Sequence, residues 1–215
     1  MSPDRAAMSG VVSSVSFLAG LGGGIAVSKV PFPRPGTDAA DIRRYFGQRP
    51  SPLRVSAPGQ LVSAVTLGRF TASVAGLARR SGSGPLQRMA IAGGAIASGS
   101  LAVAAAMGIG LAAGAAEKPD LAVRLHRRMF LAGGTIHGGG LGLLLGALGV
   151  AGLRTGELPP PLAKAAIVAA VPNLLAPIAI AVPQAVYLVP AGRFPGLVVV
   201  SAAGLHGSGR FLRDR

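Results

Sequence analysis

Residues 129–153 read MFLAGGTIHGGGLGLLLGALGVAGL, with Arg127 and Arg128 before them and Arg154 after. A run this long without a formal charge, stopped by arginines at both ends, has the length and flanks of a membrane-crossing helix. Gly134, Gly138, Gly142 and Gly146 recur every four residues, which puts them on one helical face where a neighbouring backbone can approach closely. This face is expected to pack helices. His137 is the only titratable side chain in the run.

The rest of the chain follows the same pattern. Of 215 residues, 50% are hydrophobic and only 13% charged, where an ordinary soluble domain carries about a quarter charged residues. The 33 glycines and 17 prolines lie within apolar runs rich in Ala, Val and Leu, so the composition is not that of a disordered chain. The net charge of +14 would suggest nucleic acid in a soluble protein, but here the basic residues stand between apolar runs and no nucleic-acid motif accompanies them. They are read as residues that meet anionic headgroups. Membrane lipids are therefore the expected partners, with a membrane-protein partner or a homo-oligomer as further candidates. The absence of cysteine excludes disulfides, thiolate metal sites and a cysteine nucleophile.

In chain order, a first apolar run covers about 9–28 and reads either as a retained span or as a signal peptide with a weak cleavage site. The connection 29–57 is rich in proline and basic residues and cannot cross a bilayer. Within it, Thr37 or Asp38 is placed to cap a short helix carrying Tyr45, Phe46, Arg43 and Arg44 along the interface; a solvated loop is the alternative. A second run, 59–78, is interrupted by Arg69, at a depth where a charge costs about 2.5 kcal/mol or more. That side chain either faces a polar cleft or snorkels to headgroups.

A third run spans 89–116, and EKPDLAVRLHRR then reads as a polar turn with His126 solvated. The fifth run, from Leu162 to about Val189, is broken by Pro172, Pro177 and Pro183, with Asn173 and Gln184 nearest the kinks. The last segment, 195–211, is marginal in length, so five spans with a short or re-entrant sixth is an open alternative. Basic residues are too evenly divided between the two sides for charge to orient the chain. The short basic tail RFLRDR favours both termini inside.

The loop DIRRYFGQRPSPLRVSA, the ending GLARR, the segment GLRTGELPPPLA after the glycine-rich span, and the closing YLVPAGRFPGL together resemble a family of uncharacterised six-helix integral membrane proteins of high-GC bacteria. The resemblance covers most of the chain and implies a single transmembrane domain over 1–215. It carries no chemistry. Arg69 departs from the uncharged second helix that the resemblance implies.

The expected fold is thus an all-α, polytopic bundle of six spans in the cell membrane. No paired carboxylates fall within a span, and no zinc-protease, nucleophile-elbow or phosphate-loop pattern stands in a supporting context, so no catalytic or metal residues are assigned. His137 and His206 could face a haem from two sides, but a lone membrane histidine more commonly bonds a backbone carbonyl, and no cofactor is expected. Two functions remain. One is a non-enzymatic protein acting by helix packing with lipid or a membrane partner. The other is a small transporter or channel in which Arg69, His137, Asn173 and Gln184 form a cationic polar cleft for an anionic or lipid-like ligand.

Overall fold

The computed structural model describes residues 3–49 and 51–211 of the chain; residues 1, 2, 50 and the last four of the basic tail lie outside the described residues. The described chain is an all-α bundle of α1 (Pro3–Val27), α2 (Ala39–Phe46), α3 (Leu53–Arg80), α4 (Gly84–Ala112), α5 (Pro119–Phe130), α6 (His137–Thr155), α7 (Pro160–Leu175) and α8 (Leu188–Phe211). Among the described residues six segments are long and apolar enough to cross a membrane: Ala6–Val27, Leu53–Arg80, Gly84–Ala112, Pro119–Thr155, Pro160–Ile180 and Gln184–Gly207.

The fourth of these is longer than the sequence suggested. The polar stretch before Met129 is not a turn: α5 runs into α6 through a π-helical segment, Leu131–Ile136. Pro119 opens α5 where its missing N–H costs nothing, and Asp120 follows in the first turn, favourable at the positive end of the helix. One face of α5 then packs inward, so His126 is buried rather than solvated.

The fifth and sixth spans also divide differently. Pro177 has no N–H to offer the carbonyl of Asn173, which is met instead by Ala176 in a tighter turn, and the chain continues as a 3₁₀ segment, Ala176–Ile180. A second 3₁₀ segment, Pro183–Tyr187, leads into α8. Pro190 falls in the first turn of α8, where no backbone donor is required, so the helix starts well before Pro195. The sixth span is full length.

Helix α6 is at the centre, against α4 on one side and α7 on the other, while α1 packs between α3 and α8. Helix α6 approaches both neighbours closely: a Cβ on Gly140 would stand 2.6 Å from the Ala97 nitrogen and 2.7 Å from the Gly93 oxygen of α4, and one on Gly149 would stand 2.6 Å from the Ala163 oxygen of α7. On the face of the four-residue repeat, a Cβ on Gly142 would meet Leu174 N at 2.8 Å and one on Gly138 would meet Ala176 Cβ at 3.1 Å. Gly134 and Gly146 have ordinary van der Waals room. Serines tie α1 in place: Ser13 Oγ lies 3.0 Å from both the hydroxyl and the carbonyl of Ser63, and Ser14 donates to the Leu197 carbonyl at 2.9 Å.

At one end of the bundle Asp38 caps α2 by accepting from the Asp41 N–H at 2.8 Å. Helix α2 packs into the bundle: Ile42, Tyr45 and Phe46 are buried in a cluster with residues of α4 and α5, while Arg43 and Arg44 stay exposed. At the opposite end Arg80 binds Glu157 with two 2.8 Å hydrogen bonds, joining α3 to the α6–α7 connection.

Candidate functional site: a cationic cavity beneath the α2 cap

A cavity of about 320 Å³ lies beneath α2, walled by α1, α3, α4, the π-helical segment and the start of α8. Its walls are mostly apolar, with Phe17 and Leu21 from α1, Leu101 from α4 and Met129 from α5. Tyr45 and Phe46 roof it, and burial raises the Tyr45 hydroxyl above its ordinary pKa. Ile25, Phe32 and Phe194 line the cavity and are also exposed on the bundle surface, so the cavity opens between the end of α1 and the start of α8. Its principal polar groups are Gln60 and Arg193.

Arg193 is held by α8 one turn beyond Pro190. Its Nη2 donates to the Gly133 carbonyl in the π-helical segment, and its guanidinium carbon sits 5.1 Å from the centre of the Phe17 ring, a cation–π contact. Its Nε is buried with no partner. The ion pairs among the described residues are Arg43–Glu117, Arg44–Asp41 and Arg80–Glu157, so no carboxylate neutralises Arg193. Gly133 stands opposite Ala104, eight residues, or about 12 Å, from the end of α4. The charge therefore lies inside the length of the spanning segments, where an unpaired cation is costly.

The four residues expected to form a cleft do not converge. Arg69 is exposed on the outer face of α3, and Gln184 is exposed in the connection before α8. His137 and Asn173 are buried, at 3% and 1% exposure. His137 shares a small void with Arg193, Ser13 and Ser63, and its Nδ1 lies 2.9 Å from the Ala97 carbonyl. Asn173 donates to the Ala169 carbonyl at 2.8 Å and packs on Gly138 and Gly192, with its Oδ1 unpartnered. His206 is at the other end of the bundle, 3.1 Å from the Glu157 carbonyl.

The residue that sequence reasoning misses is Arg193, which falls between the fifth run, ending near Val189, and the last segment, 195–211. The signal was present: a helix started at Leu188 places Val189, Gly192, Gly196 and Val200 on one side, and all four are buried in the structure. His126 was missed for a similar reason. Its ring sits 5.7 Å from Phe32 and 6.3 Å from Phe46, within the aromatic roof. No family model, curated protein or solved structure matches this chain.

Proposed function

We propose that this chain is a multi-pass cell-membrane protein that binds an amphiphile with an anionic head, the head at Arg193 and the apolar chain along Phe17, Leu21 and Met129. The observation that carries the reading is a guanidinium without a carboxylate partner in the wall of an apolar cavity that opens at the bundle surface. A volume of about 320 Å³ is enough for a head and part of an alkyl chain, the remainder emerging through the opening. The role is binding or passage of a lipid-like molecule, without catalysis and without a cofactor. The resemblance of the loop motifs to a family of six-helix bacterial membrane proteins is kept as part of this proposal and bears on the architecture alone.

The test is thermal unfolding of the purified protein in maltoside micelles with added dodecyl phosphate, dodecyl trimethylammonium or further dodecyl maltoside. The phosphate should raise the unfolding midpoint of the wild type, the other two should not, and Arg193→Leu should abolish the difference. Equal stabilisation of Arg193→Leu by the phosphate contradicts the proposal.

A further inference from the structure

Arg69 has no partner among the described residues: it makes no hydrogen bond, ion pair or ring contact. Its neighbours fix its depth. Gly68 faces Ser98, the midpoint of α4, and Thr71 packs on Gly94; on the other side Phe70 meets Gly10 beside the Val200 carbonyl, midway along α8. Arg69 therefore lies near the mid-length of the spanning segments.

It also lies on the outside. Val62, Val65, Gly68, Arg69 and Ala72 are all exposed and fall at helical spacing, forming one outward stripe on α3. Snorkelling does not resolve the charge. From residue 69 to the level of Arg79 is about 15 Å along the axis, further than an arginine side chain extends, and helical Cβ bonds lean the other way, toward Leu53, which is more distant still.

A second copy of the chain cannot supply the countercharge. None of the seven acids falls in the interior of a spanning helix, and two copies meeting on this stripe would oppose two arginines. We infer that the outer face of α3 is the docking surface for a transmembrane helix of a different protein that carries a carboxylate at mid-depth. Gly68 and Ala72 flank Arg69 and let the partner backbone come near enough for its acid to reach the guanidinium. The inference is independent of what occupies the Arg193 cavity.

The full-length protein, fluorescently labelled in phosphatidylcholine vesicles, is titrated with synthetic Leu/Ala transmembrane peptides bearing a central Glu, Gln, Leu or Lys, and association is read by energy transfer. The Glu peptide should bind on the order of tenfold more tightly than the Gln peptide. Arg69→Leu should erase that preference, and Arg69→Glu should transfer it to the Lys peptide. Equal binding of the Glu and Gln peptides by the wild type overturns the inference, as does a Glu preference that survives in Arg69→Leu. The wild-type comparison alone decides the matter if a variant does not fold.

Discussion

Arg193 on α8 donates a hydrogen bond to the backbone carbonyl of Gly133, across the mouth of the π-helical segment that joins α5 to α6. A π-helical turn displaces carbonyls from the regular i to i−4 pattern, and segments of this kind are frequent at functional sites. The contact anchors the guanidinium through one nitrogen and leaves Nε without a protein partner. An arginine retained only for stability would be expected to be more completely paired, because an uncompensated buried cation is unfavourable.

Replacement of Arg193 by Met should accordingly leave the ligand-free protein about as stable as the wild type, within roughly 1 kcal/mol, or more stable, since a hydrophobic residue of similar length removes an unneutralised charge. The check is reversible unfolding in mixed micelles without anionic additive. A loss of about 3 kcal/mol or more would make Arg193 structural glue.

Gly140→Ala should be more damaging than Gly146→Ala. The new methyl at 140 would press on Ala97 N and Gly93 O at 2.6 and 2.7 Å, forcing α4 and α6 apart, whereas at 146 the nearest atom is Met89 Cε at 3.6 Å. The first should cost about 1–3 kcal/mol and the second nearly nothing. Comparing the two unfolding midpoints checks this.

The Ser13–Ser63 pair should show measurable but small coupling. A double-mutant cycle with Ser13→Ala and Ser63→Ala is expected to give about 0.5–1.5 kcal/mol, the range for interhelical hydroxyl contacts in membrane proteins. By contrast, Arg80→Ala should cost no more than about 1 kcal/mol despite its two hydrogen bonds to Glu157, because the pair is exposed to solvent at the bundle end.

Phe46 is 1% exposed in the roof and rests against Phe32, Tyr45 and the His126 ring. Phe46→Ala should lower stability by about 3–5 kcal/mol if α2 is an integral cap, a loss measurable by thermal unfolding. A loop merely resting on the bundle would show almost none.

The number of apolar segments was legible because charge-free length is a local property of sequence, whereas the bounds of the fourth, fifth and sixth were not. The cap of α2 was legible to within two neighbours, Thr37 and Asp38, of which Asp38 accepts from the N–H three residues on. What was not legible depended on the relation between helices. Arg69 and Arg193 both interrupt apolar surroundings, and the spacing that turns Arg193 inward with Val189, Gly192, Gly196 and Val200 can be read only once the helix is started at Leu188. Arg193 was further disguised by Pro190 and Pro195, which read as a connection until the first-turn position of Pro190 is recognised. His126 reads as a solvated residue from sequence because it stands among Arg124, Arg127 and Arg128. Its own position on the inward face of α5 became visible only once that segment was helical.

The central claim is that the Arg193 cavity holds an anionic amphiphile, and photo-crosslinking in the membrane tests it most directly. An alkyl phosphate with a diazirine in its chain is activated in vesicles containing the protein, and the labelled peptides are mapped by mass spectrometry. The account predicts adducts concentrated on Phe17, Leu21 and Met129, displaced by excess dodecyl phosphate and absent from Arg193→Leu. Adducts spread instead over the outward-facing Val65, Val168 and Val198, undiminished by competitor or by the substitution, would contradict it.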